Sequence, residues 1–336
     1  MAPFNQAVNI KSASREEEGE YRIYTGTVDP DWVVGAIPNG GYILALLVEA
    51  CIQHQSKTSH PDPIHVTAHY LRSSQPSEFE IRVRILRAGR SFTNLTADLY
   101  QQGTVTVSTQ QIFGVNSTPS DGYTQSRGFT LTPPSSYARR IPLYTHPSTA
   151  VPQFARDVWK FKPYISLSPD PVIFEKNASN HPNRTNASTI GGTGLEWGAW
   201  FSFRDKGDEI TKNSLPFLVD IFAGLPYLMP RSERPGLGIS WFPTMVLALE
   251  FKAPIPRFSA EHANRTVGIY YSAKFVNDGR HDGNVEVWTA PCNIGEGEEV
   301  PGWREKQVCI ATATQMAYIV PMEVNLVQAR KRKNKL

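Results

Sequence analysis

The sequence predicts an α+β protein in which a curled antiparallel sheet wraps a buried helix, and it predicts this arrangement twice. Two stretches are apolar almost throughout: Tyr42 to Cys51, charged only at Glu49 and opened by Asn39-Gly40-Gly41, and Leu215 to Met229, charged only at Asp220 and opened by Ser214. A helix with no polar face has to be buried. Each stretch is followed by strand-like runs, to about Phe113 in the first half and about Val320 in the second. The runs alternate: Phe79, Ile81, Val83 and Ile85 are separated by Glu80, Arg82 and Arg84, and Leu95, Ala97 and Leu99 by Thr96 and Asp98. Such strands have one apolar face with which to cover a helix.

In chain order, residues 1–20 are polar and are expected to be a flexible N-terminus. Tyr21 to Thr27 reads as a first strand, and Ala88-Gly89-Arg90 and Gly103 as turns between later ones, so the first unit spans 21–115. From 116 to 194 the chain is rich in Pro, Ser, Thr and Asn, with aromatic islands such as Trp159-Lys160-Phe161. It reads as a crossover that packs through those islands and ends in a mobile stretch near 177–192, because a structureless loop of that length is unusual. The second unit, 195–322, opens with the aromatic run Leu195 to Arg204. It continues through the expected helix to strands at Met245 to Phe251, Val267 to Phe275, Val285 to Trp288 and Gln307 to Val320. Residues 323–336 form a basic tail.

Charge excludes one class of partner. The net charge is +3, but Arg330, Lys331, Arg332, Lys333 and Lys335 contribute five positive charges, leaving 3 − 5 = −2 for the rest. The globular part is therefore not expected to bind nucleic acid. No apolar run reaches the roughly 20 residues of a membrane span. The N-terminus carries Glu16-Glu17-Glu18 in place of a charged-then-apolar leader, and the three cysteines (Cys51, Cys292, Cys309) form no CxxC pair. These features point to a cytoplasmic setting without a membrane partner. Asn334-Lys335-Leu336 imperfectly resembles the Ser-Lys-Leu peroxisomal address, which keeps a peroxisomal location open. A homodimer is compatible with the sequence.

Familiar reactive motifs are absent. The chain holds no GxSxG, no HExxH, no metal-ligand spacing and no complete glycine-rich phosphate loop. His65 and His69 share one face of a strand and read first as ordinary sheet residues. Asp220 differs, as the lone carboxylate within Leu215-Pro216-Phe217-Leu218-Val219-Asp220-Ile221-Phe222. A carboxylate at that depth must be hydrogen-bonded or have a raised pKa, and both conditions suit a general base. A buried Asp that ties down neighbouring backbone fits equally well.

The chain resembles the double-hotdog acyl-CoA thioesterases of the bacterial thioesterase II type. The first domain of that family is matched by Asn39-Gly40-Gly41-Tyr42, His69-Tyr70-Leu71-Arg72 and Leu86-Arg87-Ala88-Gly89-Arg90-Ser91-Phe92. The second is matched by Asp220, Trp241-Phe242-Pro243-Thr244 and Ala311-Thr312-Ala313-Thr314-Gln315. The resemblance covers about 21–115 and 195–320. It implies a tandem hotdog fold and a hydrolase that cleaves an acyl-CoA or acyl-carrier thioester without a cofactor, coenzyme A entering as part of the substrate. It also implies a working set of Asp220, Thr244 and Gln315, which would hold and deprotonate a water.

The developing oxyanion needs fixed donors, and backbone N–H groups at a helix start provide them, so Asn39, Gly40, Gly41 and Tyr42 are the candidates. A glycine pair that merely turns the chain into the helix fits the same residues. Arg72, Arg87 and Arg90, near strand ends, are candidate contacts for coenzyme A phosphates. Arg72-Ser73-Ser74-Gln75-Pro76 departs from the family's Arg-Pro-Gly. With Trp197, Trp200, Phe201 and Trp241, this departure leads to the expectation of a reshaped acyl pocket for a bulky or cyclic group. The rivals are a hotdog lyase, isomerase or cyclase serving a specialised, polyketide-like metabolite, and a non-catalytic acyl-binding protein. A dehydratase would need His65 or His69 facing the cavity beside an acid.

Overall fold

A computed structural model of the chain describes residues 2–13, 21–116, 131–153, 157–178, 181–182, 188, 190 and 195–333, with side chains up to 327. Helix α1 (Phe4–Ala7) and strands β1 (Lys11–Ser12), β2 (Arg22–Thr27), β3 (Val33–Val34) and β4 (Ile37–Pro38) lead into the long helix α2 (Gly40–Gln55). Strands β5 (Asp62–Tyr70), β6 (Glu78–Ala88), β7 (Thr93–Gln101) and β8 (Thr104–Gly114) complete the first half. The second half comprises β9 (Ile165–Pro169), α3 (Pro171–Lys176), β10 (Leu195–Phe203), α4 (Leu215–Leu218), β11 (Ser240–Trp241) and β12 (Thr244–Phe251). It continues with β13 (Thr266–Ala273), β14 (Val276–Asn277), β15 (Arg280–Thr289), β16 (Cys309–Tyr318), β17 (Val320–Pro321) and α5 (Met322–Lys333).

The two sheets are continuous. Their order is β1-β2-β6-β7-β8-β5-β12-β16-β15-β13-β10-β9, antiparallel at every pairing, and the halves join where β5 pairs with β12 from Val246↔His69 to Glu250↔His65. This is a double hotdog. Helix α2 forms because Asn39 caps it, its Oδ1 accepting from Tyr42 N at 2.9 Å, and because Leu44, Leu46, Leu47 and Val48 are fully enclosed by the sheet.

The second helix is shorter than the sequence suggests. The apolar run Leu215 to Met229 yields one α turn, Leu215–Leu218, and then a 3₁₀ turn at Leu225–Leu228. Pro226 has no N–H for a helical bond and its ring disfavours the helical conformation at Leu225, while Gly224 adds a flexible joint. A helix confined to the residues before this breaker is too short to persist by itself. Asp220 consequently follows a helical turn instead of lying within a helix.

The volume is filled from elsewhere, and this corrects the expectation of a flexible N-terminus as far as 2–13 are concerned. Phe4 is fully buried, its ring 5.0 to 5.4 Å from those of Trp32, Phe203 and Phe217. Buried Asp208 accepts from Phe4 N at 2.8 Å and Asn5 N at 3.1 Å, fixing the segment across the two halves. Residues 14–20 lie outside the described residues.

The crossover also contributes structure. Phe161 stacks on Trp32 and meets Phe217 edge-on, and β9 extends the second sheet beside β10. Ile141, Leu143 and Ile173 cover the outer face of that sheet over Trp200, Trp288 and Trp303. Gly198 and Gly268 make room for them: a Cβ on Gly198 would lie 2.6 Å from Leu143 Cδ2, and one on Gly268 2.8 Å from Ile141 Cδ1. The mobile stretch expected at 177–192 lies largely outside the described residues.

The basic tail begins as helix α5, anchored by fully buried Asn325, because its amide satisfies both a backbone donor and a backbone acceptor of the β3–β4 hairpin. Asn334-Lys335-Leu336 lies outside the described residues. Among the described residues, no helix is long and apolar enough to cross a membrane.

Candidate functional site

Asp220, Thr244 and Gln315 come from three separate segments and meet in one hydrogen-bonded group. Asp220 is carried just past α4. Gln315 projects from the inner face of β16, in line with Ala311, Ala313 and Ala317. Thr244 opens β12, where a bulge between Thr244 and Val246 breaks the inward alternation of Leu247, Leu249 and Phe251. Without the bulge Met245 would point inward; with it Met245 is exposed and Thr244 reaches Asp220.

The carboxylate is surrounded by donors. Its Oδ1 accepts from Gln315 Nε2 at 2.5 Å and from Thr244 Oγ1 at 3.2 Å, and Gln315 Nε2 also donates to Thr244 Oγ1 at 2.8 Å. Its Oδ2 accepts from Gly41 N at 2.8 Å, a bond that crosses from one half to the other. Burial raises the Asp220 pKa from 3.8 to about 6, against the lowering pull of Gly41, Gln315, Thr244 and Asn39. Burial outweighs the donors, so the group titrates just below neutrality, where a general base is effective.

The glycine pair is required by close approach. A Cβ at Gly41 would sit 2.3 Å from Pro216 O and 2.7 Å from Asp220 Cβ, and one at Gly40 3.1 Å from Asp220 Oδ2. The first half therefore lays bare backbone directly against the carboxylate of the second. Gly41 N serves Asp220, Tyr42 N is taken by the Asn39 cap and Ile43 N bonds Asn39 O. These bonds engage three of the four N–H groups at the start of α2; the fourth belongs to Gly40, which lines the cavity. Tyr42 points elsewhere, its hydroxyl donating to Ala7 O and accepting from Asp29 N.

Sequence reasoning missed Tyr70. This half-buried side chain ends β5 on the inner face and donates from its hydroxyl to Gly40 O at 2.8 Å. Burial and the nearby Asp220 charge both hold its pKa well above the ordinary value, so it stays protonated as a donor. The inward alternation Val66, Ala68, Tyr70 was the available signal. His65 and His69 occupy the opposite face of that strand, away from the helix.

A cavity of about 440 Å³ opens on this group, lined by Asn39, Gly40, Tyr70, Asp220, Thr244 and Gln315, with Arg72, Trp159, Phe222, Trp241, Phe242 and Met322 among the other walls. Of the three arginines only Arg72 lines it. Arg87 and Arg90 are exposed at the β6–β7 hairpin, which lies beside Phe113 and the start of β5, a full strand away from Tyr70. Of the four aromatics tied to a reshaped pocket, Trp241 alone lines the cavity. Trp197 and Phe201 belong to the main core, and Trp200 faces the crossover, because β10 is covered on both sides. Among the described residues, no cluster of three or more His, Cys, Asp or Glu could hold a metal ion.

The family model for the acyl-CoA thioesterase N-terminal domain matches residues 28–114, and that for the acyl-CoA thioesterase C-terminal domain matches 152–291. The chain belongs to the acyl-CoA thioesterase family. The matched segments of this thioesterase relative include Gly40, Gly41, Asp220 and Thr244, whereas Gln315 and α5 lie beyond them. The "thioesterase-like protein TwmA" of Talaromyces wortmannii is 21% identical over 314 residues, covering 83% of this chain and 86% of that protein. The "Ustilagic acid biosynthesis cluster protein orf2" of Mycosarcoma maydis is 34% identical over 80 residues, covering 23% of this chain and only 21% of that protein. The fold is similar to that of a Thermobifida fusca YX protein described as a thioesterase II, with a TM-score of 0.66 and 19% identity over 95% of this chain and 97% of that one.

Proposed function

We propose that this chain hydrolyses an acyl-CoA or carrier-bound acyl thioester to the free acid and thiol, with water as nucleophile and no cofactor. The observation that carries the reading is the convergence of Asp220, Thr244 and Gln315 in a cavity beside the bare Gly40 backbone. A thioester carbonyl seated on Gly40 N–H would present its carbon to a water held by Asp220. Asp220 accepts one water proton as the oxygen bonds to that carbon, and the Gly40 N–H stabilises the negative charge on the carbonyl oxygen. Collapse of the tetrahedral species breaks the C–S bond, and the proton passes from Asp220 to the leaving sulfur. Thr244 and Gln315 keep the carboxylate oriented and supply further hydrogen-bonding positions for the water. Arg72, the one arginine of the three at the cavity, suits the phosphate-bearing end of the thiol.

The family assignment supports a thioesterase, and the name of the Mycosarcoma maydis relative, a biosynthesis cluster protein, suits a donor in specialised metabolism. A dehydratase-like lyase is disfavoured by geometry, because its His–acid pair would need His65 or His69 in the cavity. The test is thiol release from a panel of acyl-CoAs by the wild-type chain and by Asp220→Asn. Turnover that collapses in the variant is expected. Turnover unchanged in Asp220→Asn, or binding of acyl-CoA with no thiol release by the wild type, overturns the proposal.

A further inference from the structure

The cavity walls divide by chemistry. The segment that follows β5 contributes Arg72, Ser73 and Ser74, whereas another part of the lining is built from Val34, Ile37, Trp159, Val320, Met322 and Val324. The second group comes from the β3–β4 hairpin, the crossover and the β17–α5 segment. The β17–α5 segment lies outside both matched family domains.

This wall is held in a fixed position. Asn325, fully buried on α5, accepts from Ala36 N at 2.9 Å and donates to Val34 O at 3.0 Å. Gly35 has φ +63°, and a Cβ there would lie 2.6 Å from Asn325 Oδ1, so the hairpin is shaped for this side chain. Met322 N donates to Ile239 O, β17 pairs with β11, and Trp159 is held where Val34 bridges to it. The same hairpin runs directly into Asn39-Gly40, so the wall and the reacting centre share one rigid support.

We propose that the acyl group is an apolar chain or ring system of limited size that extends from Gly40 and Asp220 towards α5, and that Met322 and Val324 set the largest group accepted. This rests on the thioesterase reading of the same cavity. An acyl group rich in hydroxyls or charge would lose its hydration against aliphatic and thioether side chains without replacement partners. An apolar one gains affinity with each group buried, until it meets Met322. The cationic and hydroxylated segment at Arg72 to Ser74 then faces the thiol carrier.

The test uses S-alkyl coenzyme A thioethers, from S-ethyl to S-hexadecyl, titrated calorimetrically into the full chain. They cannot be hydrolysed, so binding is read independently of turnover. Affinity should rise about fourfold per methylene and then stop rising at a break length. Met322→Ala should move the break two or three carbons longer. Val324→Trp, at a half-exposed position that tolerates bulk, should move it shorter, with melting curves showing both variants folded. A break unmoved in both variants, or no break up to hexadecyl, overturns the proposal. Failure of every thioether to bind overturns it together with the thioesterase reading. A break that moves while the wild type releases no thiol from the matching acyl-CoAs leaves the acyl wall standing and removes the hydrolase alone.

Discussion

The two halves share a strand pattern and use it differently. The first encloses a 16-residue helix and contributes bare backbone, the Gly40-Gly41 corner. The second retains a single α turn and contributes the three side chains Asp220, Thr244 and Gln315. Duplication thus separates two demands that conflict within one hotdog. A long buried helix needs apolar residues throughout, whereas a base needs a carboxylate at the same depth. Shortening the second helix sets Asp220 at its frayed end, where it can accept from a neighbour's N–H as well as from strand side chains.

Removing the proposed base challenges that division most directly. Asp220→Asn should lower kcat by about 10²- to 10⁴-fold, the usual range for a general acid–base group, with little change in KM. The wild-type pH–rate profile should fall on the acid side with a midpoint of about 6, because protonated Asp220 cannot accept from water. A midpoint near the ordinary carboxylate value would mean that the second half does not hold its base in a desolvated site.

The next effect concerns what replaced the missing helix. Phe4→Ala should cost about 3–5 kcal/mol in denaturant unfolding, the range for an enclosed phenylalanine, because the ring lies between Trp32, Phe203 and Phe217. A loss below about 1 kcal/mol would show that the N-terminal segment does not complete the second core. Gly41→Ala probes the seam itself, since its methyl would collide with Pro216 O. A loss of about 1–3 kcal/mol is expected from overpacking against backbone, which cannot rotate away. Equal stability would mean that the halves slide apart at little cost.

Much of this was written in the chain, and the omissions have physical causes. Strand alternation and two apolar stretches were enough for the double hotdog, because burial imposes period and composition. Asp220 was legible as the lone charge in an apolar run. The Thr244 bulge was not, since alternation from Leu247 points Met245 inward and only the pairing register reveals the extra residue. The shortened helix was signalled by Pro226, but the length of the apolar run concealed it. Phe161 was legible as part of an aromatic island expected to pack, whereas the roles of Phe4 and Asn325 depend on contacts with residues distant in sequence, and no local pattern marks these. Arg87 and Arg90 sit near a strand end, but local position could not say which end of the sheet holds the cavity.

The buried charge of Asp220 should also lower stability at neutral pH. Asp220 titrates at about 6 when folded and near 3.8 otherwise, so between those values the folded chain binds the extra proton and stability falls as pH rises through the window. Above pH 6 the cost is 6 − 3.8, roughly two pK intervals, or about 3 kcal/mol. Asp220→Asn should therefore be more stable than wild type by up to that amount at pH 7–8, with the advantage shrinking to nothing near pH 4. A variant that is less stable across the whole range would show that the donors from Gly41, Thr244 and Gln315 outweigh burial.

The smallest effect tests how the first half supports the second. Tyr70 hydroxyl holds Gly40 O, and through that peptide it fixes the Gly41 N–H that serves Asp220. Tyr70→Phe keeps the ring and removes one hydrogen bond, worth about 1 kcal/mol, so the fold should survive. A merely structural role would leave the acid midpoint of the rate profile near 6. A positioning role predicts two changes. kcat should fall about threefold to tenfold with KM nearly constant, and the midpoint should rise, because a loosened Gly41 N–H no longer stabilises the charged carboxylate. An unshifted midpoint with unchanged kcat would confine the first half's contribution to Gly40 and Gly41 themselves.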